Sequence, residues 1–259
     1  MYIQYNIYTI KGVMTLKKIS KESPIPLYYQ LKELIQEQIE DEIFKPGDPI
    51  PTEMELCQIH NISRMTVNKA IMSLVHEGLL YREQGRGTFV AENKRKHQLN
   101  NLKGFTEEMM QKGYSVETKI LSFETVEATK NKKEHLKLGE KGEKIIEIKR
   151  LRYIENEPFA LETAWIPLKL CPDLDVKINN SKSLYEIFQR KYGYILAEAK
   201  QTIEPIMIND YESELLNLRK NSLALLFRRT TYLDDGQIIE YTKAIYRSDK
   251  HKYELILKP

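Results

Sequence analysis

Arg150 and Arg152 stand two apart in a stretch, Lys144 to Ile154, whose pattern predicts a strand. A side-chain period of two sends both to one face, and paired guanidinium forks suit phosphate or carboxylate oxygens. Like charges at that spacing repel unless an anion joins them. Ser183 opens a predicted helix with a hydroxyl and free backbone N–H groups, Tyr185 adds a donor, and Thr106, read as the cap of another helix, adds a third group. Spacing alone favours a plainer arrangement, a solvated sheet face in which the arginines pair with Glu147 or Glu162.

A second group of candidates lies upstream. Val67, Ala70, Ile71, Leu74 and Val75 recur at helical spacing, Ser63 caps the segment, and Gly78 stands where a left-handed terminator belongs. With that stripe committed to a core, the opposite face is Arg64, Met65, Asn68, Lys69 and Met72. Such a face fits a major groove, where arginine pairs with guanine and asparagine with adenine, while the helix N-terminus favours phosphate. Arg86, between Gly85 and Gly87, suits a phosphate or the narrow minor groove, and the glycines permit close backbone approach.

The elements that must position this face are legible too. Leu27, Leu31, Leu34, Ile35 and Ile39 predict a helix from about Pro26 to Glu42, which Pro46-Gly47-Asp48-Pro49 breaks. Thr52 and Glu55 have capping-box spacing and open a helix through about His60. After the third helix, residues 79–82 and 88–90 read as strands around Glu83-Gln84-Gly85-Arg86-Gly87. Three helices and a hairpin make a winged helix-turn-helix over residues 23–91. Residues 1–22 form an N-terminal extension, with translation expected to begin at Met14 and residues 1–13 dispensable. Residues 92–101, containing Lys94-Arg95-Lys96, read as a linker.

Residues 102–259 mix strands and helices without regular alternation, an α+β pattern with an antiparallel sheet. Helices are expected over residues 104–112, 130–138, 183–191 and 211–218, and strands over residues 115–127, 144–154, 159–166, 195–206, 224–233 and 238–246. Asp234-Asp235-Gly236 marks a hairpin turn.

Composition limits the partners. A chain of 259 residues has room for two domains. It has no apolar run near the ~18 residues of a membrane span and no secretory leader, so a cytoplasmic protein without a membrane partner is expected. Cys57 and Cys171 lack metal-ligand spacing and read as reduced thiols. No metal or cofactor is expected. The formal charge is +3, yet residues 1–93 carry ten Lys and Arg against twelve Asp and Glu. DNA binding by this part must therefore rest on where its few cations lie.

The ordered set Pro24-Ile25-Pro26-Leu27-Tyr28-Tyr29-Gln30-Leu31, Pro46-Gly47-Asp48, Pro51-Thr52-Glu53, Ile62-Ser63-Arg64-Met65-Thr66-Val67, Leu74-Val75-His76-Glu77-Gly78-Leu79-Leu80 and Gly85-Arg86-Gly87-Thr88-Phe89-Val90 resembles the DNA-binding domain of the GntR family of bacterial regulators. The resemblance implies that Arg64 and Thr66 contact operator bases or phosphates and that Gly87 lies at the wing tip in the minor groove. Met54 and Asn68 stand where many members carry arginine, so an altered base preference is expected.

The remainder resembles the effector domain of the HutC subfamily (UTRA), whose fold is similar to chorismate lyase. The resemblance rests on Phe105-Thr106-Glu107-Glu108-Met109, Arg150-Leu151-Arg152, Glu162-Thr163, Trp165-Ile166-Pro167, Ser183-Leu184-Tyr185, Glu204-Pro205, Arg229-Thr230-Thr231-Tyr232, Glu240 and Tyr246-Arg247. Similarity to the N-acetylglucosamine-responsive repressors implies that Phe105, Thr106, Arg150, Arg152, Ser183 and Tyr185 hold the phosphate of an amino-sugar phosphate. Glu162, Glu240 and Tyr246 would then face sugar hydroxyls, which carboxylates accept well. The expected function is a homodimeric repressor on a near-palindromic operator, modulated by a phosphorylated sugar. The alternatives are a non-phosphorylated organic acid as effector, a ligand-free architectural DNA-binding protein, or a lyase-like enzyme using Glu162, Glu240 or His135 as acid or base. Without a nucleophile triad, metal spacing or phosphate-loop motif, catalysis is not expected.

Overall fold

The computed structural model describes residues 19–92, 94–98, 102, 104–139, 143–178 and 183–256. The expectation for residues 1–13 lies outside them. The chain divides into two compact units, residues 1–95 and 96–259.

In the first unit, α1 (Leu27–Glu40), α2 (Glu53–His60) and α3 (Arg64–His76) precede β1 (Leu80–Glu83) and β2 (Gly87–Val90). The local grammar works as its chemistry requires. Thr52 closes a capping box with Glu55, Ser63 accepts from the Thr66 N–H, and Gly78 takes φ +71 beyond the end of α3. Helix α1 starts after Pro26 without a side-chain cap. Leu31, Ile35, Leu56, Val67, Ala70, Leu74, Leu80 and Val90 are buried together, so the predicted stripe of α3 does face the core. Truncating Leu74 to alanine there would cost about 2–5 kcal/mol. β1 and β2 pair antiparallel, Leu80 opposite Val90, with Gly85 and Gly87 at φ +74 and +133 in the turn. Side chains other than glycine rarely adopt such angles.

The second unit is built on a six-stranded antiparallel sheet. Its strands are β4 (Val116–Glu127), β5 (Lys144–Ile154), β6 (Glu157–Pro167), β7 (Leu196–Met207), β8 (Leu223–Leu233) and β9 (Ile238–Arg247), in the order β4-β5-β6-β9-β8-β7. Five shorter elements accompany them: α4 (Phe105–Gln111), α5 (Lys130–Leu136), α6 (Leu174–Ile178), α7 (Leu184–Tyr192) and α8 (Asp210–Leu215). Ile146, Ile148, Ala164 and Ile166 of the sheet pack on Leu184, Ile187 and Phe188 of α7. The opposite face packs Ile145, Trp165 and Tyr241 on Leu136 of α5, and Leu151 and Ile245 lie with Leu216 just past α8.

Several features differ from expectation, among them the helix Leu174–Ile178, which was not expected. The segment read as a linker contains a strand, β3 (Arg95–Gln98), which pairs with β10 (His251–Glu254). Four residues beside a charged run carry too little periodicity to announce a strand. Thr106 does not cap α4 either. Gly104 is the N-cap residue, with no side-chain cap, and Thr106 is buried within the helix.

Candidate functional site: a buried arginine pocket and an exposed helix face

Register makes the pocket. Arg150 on β5 lies opposite Glu162 on β6, Glu162 opposite Ala244 on β9, Ala244 opposite Phe227 on β8, and Arg229 opposite Gln201 on β7. With a period of two, Arg150, Arg152, Glu162, Glu240, Tyr246, Arg229 and Gln201 all emerge on one face. Phe105 and Glu108 of α4, Ser183 and Tyr185 at the start of α7, and His97 and Tyr253 on the paired β3 and β10 wall the space. The space they enclose is a concave pocket, partly open to solvent. Eight of the nine residues expected at an effector site line it; Thr106, the ninth, is buried in α4 beside it.

The arginines are not solvated. Arg150 and Arg152 are 2% and 6% exposed, and Glu162 on the next strand takes both. Arg152 donates to it through Nε at 3.1 Å and Nη2 at 2.9 and 3.0 Å, and Arg150 donates through Nη2. The plain ion-pair arrangement is thus present, but buried, where the carboxylate acts as the anion joining two like charges. Glu147 takes no part. It lies on the other face, accepting from Trp165 Nε1 at 2.5 Å. Burial opposes ionisation of Glu162, yet Arg150 and Arg152 win and hold it at about 2. Glu240 behaves oppositely: burial and then repulsion by Glu162 push it up to about 7 against the pull of Arg150 and Arg229. Two carboxyls on one face therefore differ in charge below neutrality. Among the described residues, the Nε of Arg150 and the hydroxyl of Tyr253 have no hydrogen-bond partner. Ser183 accepts from the Glu186 N–H, capping α7, and Tyr185 shares a hydrogen bond with Thr231 at 2.9 Å. Gly104 packs closely here: a Cβ there would sit 3.1 Å from Ser183 Oγ and 3.3 Å from Tyr185 Cβ, so these neighbours would have to give by a few tenths of an ångström.

Several lining residues were not anticipated, Arg229 and His97 among them. Arg229 stood within a quoted motif, but only tertiary packing shows that β8 delivers it to Tyr185. His97 and His251 share a hydrogen bond of 2.9 Å, and His97 Nδ1 lies 3.8 Å from Glu108. No spacing links residues so far apart in sequence. His135 is elsewhere, stacked on Tyr241 at 4.1 Å against the opposite face of the sheet, so it cannot work with Glu162 or Glu240.

In the first unit the candidates lie on an open surface. Met65 is 84% exposed, and Arg64 projects with its side chain 85% exposed. Glu53, at the start of α2, organises their neighbours, accepting from Arg64 Nε at 3.3 Å, Asn68 Nδ2 at 2.9 Å and Arg82 Nη2 at 2.6 Å. Asn68 therefore has its amide N–H engaged, and Arg82 of the wing strand joins a face on which it was not expected. Lys69 places its ammonium 3.9 Å from the centre of the Tyr28 ring. Thr66 shares a hydrogen bond with Ser63 at 2.8 Å. In the wing, Arg86 pairs with Glu83 beside Gly87.

Comparison with known proteins gives this geometry a context. Residues 27–90 match the model described as bacterial regulatory proteins, gntR family, and residues 111–252 match the UTRA domain. The HTH-type transcriptional repressor NagR of Bacillus subtilis is 36% identical over 91% of this chain and 96% of its own length. The chain belongs to the GntR family of bacterial regulators. Among GntR-family relatives it is also 33% identical to the mannosyl-D-glycerate transport/metabolism system repressor MngR of Escherichia coli, over 89% of this chain and 95% of that one. The structure of PhnF from Mycobacterium smegmatis shares the fold, with a TM-score of 0.60 at 22% identity over 88% of this chain and 98% of that one. The first unit is thus a GntR helix-turn-helix and the second a UTRA domain, and the chain is a DNA-binding transcriptional regulator.

Proposed function

We propose that this regulator is a repressor whose operator affinity is set by a small anionic metabolite, a phosphorylated sugar, bound in the pocket of the second unit. One observation carries the reading. Two buried guanidinium groups, Arg150 and Arg152, and a half-buried third, Arg229, line one cavity with two ionised carboxylates, Glu162, which the first pair shares, and Glu108, which Lys112 holds at 2.7 Å. A buried excess of positive charge is costly and is relieved by a ligand anion. Phe105, Thr106, Ser183 and Tyr185 flank the anion end, while Glu240, Tyr246 and the outer part of Glu162 offer hydrogen bonds to hydroxyls. A relative named for mannosyl-D-glycerate, a sugar joined to an organic acid, supports this class.

The chain acts as a homodimer on a near-palindromic operator, since dimer symmetry implies site symmetry. Arg64, Met65, Thr66, Asn68 and Lys69 face the major groove and Arg86 and Gly87 the minor groove. Ligand binding lowers operator affinity, which needs a coupling of about 1–3 kcal/mol. Calorimetric titration with sugar phosphates and organic acids, with Arg152→Ala as control, tests the ligand class. Binding of a sugar phosphate that the substitution abolishes is expected, and indifference to every anion sinks the reading. Mobility shifts of the protein's own promoter with and without that ligand test the coupling. Selection from random DNA returning the common family operator unchanged would contradict the altered preference expected from Met54 and Asn68.

A further inference from the structure

We propose that Met54 and Met65 read the operator by packing against thymine 5-methyl groups in the major groove. This rests on the reading of α3 as the groove helix and names a base contact that its face is built to make. Both side chains are apolar and stand in water: Met65 is 84% exposed and Met54 70%, the two most exposed large hydrophobic residues among those described. They are not scattered. Met54 is the second residue of α2 and Met65 the second of α3, and the residues before them, Glu53 and Arg64, form an ion pair at 3.3 Å. That bridge holds the first turns of the two helices together. Both methionines therefore stand at the N-terminal end of the reading face, the end with which a recognition helix meets base edges.

The polar side chains around them are already engaged. Asn68 donates Nδ2 to Glu53 at 2.9 Å, and Arg82 donates Nη2 to the same carboxylate at 2.6 Å. Thr66 shares a hydrogen bond with Ser63 at 2.8 Å, and the Lys69 ammonium lies 3.9 Å from the centre of the Tyr28 ring. Of this set Arg64 projects furthest into water, with its side chain 85% exposed. One arginine reads one guanine, which leaves the rest of a half-site to other chemistry. The apolar feature of the major groove is the thymine C5-methyl, and cytosine presents only hydrogen at that carbon. A methionine side chain is unbranched and polarizable, so it can follow a methyl without the fixed geometry that a hydrogen bond demands. Contact removes apolar surface of both partners from water, which supplies the driving force. Two methionines at the groove end of a face otherwise held by ion pairs thus favour A·T pairs in defined orientation, with the methyl toward the protein.

The test starts with selection of duplexes from random DNA by the full chain. Affinities are then measured with single thymines of the selected site replaced by uracil, which removes the 5-methyl and keeps every hydrogen-bonding group. The variants are Met54→Ala, Met65→Ala and Arg64→Ala. The selected half-site is expected to contain thymines at which uracil weakens wild-type binding by about threefold to fivefold each. Met54→Ala and Met65→Ala are each expected to lose a similar factor on thymine DNA and to bind the thymine and uracil forms of one position equally. Both side chains are exposed, so neither truncation burdens the fold, and Met54→Leu and Met65→Leu, which restore apolar bulk, are expected to regain the preference for the methyl. Equal binding of thymine and uracil duplexes by wild type, a selected half-site without thymine, or a methyl preference undiminished in either alanine variant overturns the inference. The reading face then still stands if Arg64→Ala weakens thymine and uracil operators alike. Arg64→Ala binding as tightly as wild type, or a wild-type protein that selects no sequence, overturns the two together.

Discussion

Arginine meets glutamate in both units of this chain, with opposite consequences. In the helix-turn-helix unit Glu53 sits at the surface and is shared by Arg64, Asn68 and Arg82, whose outer ends stay in water. In the UTRA unit Glu162 is buried with Arg150 and Arg152, largely withdrawn from bulk solvent. Exposed pairs exchange readily with solvent and with a phosphate backbone, so the first cluster presents side chains. Buried pairs are held by the cost of separating them, so the second shapes the wall of a cavity. The same chemistry yields a reading face in one place and a receptor wall in the other because the dielectric differs.

That contrast can be broken by experiment. The largest effect is expected from Glu162→Ala, which strands two buried guanidinium groups and should cost about 3–5 kcal/mol in urea unfolding of the UTRA unit. Phosphate should restore part of that loss, and a cost below about 1 kcal/mol would mean that the cluster is solvated after all. Next comes pH. Glu240 is raised from its ordinary value to about 7, so its contribution to stability is full below about 4.5 and is lost as pH rises through 7. Glu162, lowered to about 2, contributes fully above its ordinary value of 4.5 and loses that contribution progressively as pH falls from there through about 2. Thermal melts between pH 5 and 8 should therefore decline for wild type and flatten in Glu240→Gln, and identical slopes would place Glu240 in water. A smaller effect, about 1–3 kcal/mol, is expected in operator binding for Arg64→Ala, with relaxed preference at one base pair. A uniform weakening across sequences would make Arg64 a phosphate contact instead. The smallest is Glu53→Ala, expected to change folding stability by under about 1 kcal/mol, while mobility shifts reveal whether releasing Asn68 and Arg82 alters operator choice.

Much of the first unit was legible because its signals are local. Caps at Thr52 and Ser63 bind donors three residues away, and the stripe from Val67 to Val75 repeats within one helix. Strands of the second unit were legible for the same reason, Lys144–Ile154 to the residue. What escaped was short or distant. β3 spans four residues and exists through pairing with β10, more than 150 positions later. Arg82 joined the recognition face because Glu53 reaches it across the fold.

The amino-acid order by itself determined which residues carry charge, where helices begin, and that Arg150 and Arg152 share a face, since periodicity and capping act over a few residues. Only the tertiary structure decided that Glu162 joins that pair, that burial and Glu162 push Glu240 up to about 7 and that Arg229 meets Gln201. Those outcomes depend on strand order and burial, which bring together side chains up to 90 positions apart and exclude the water that would otherwise level their charges.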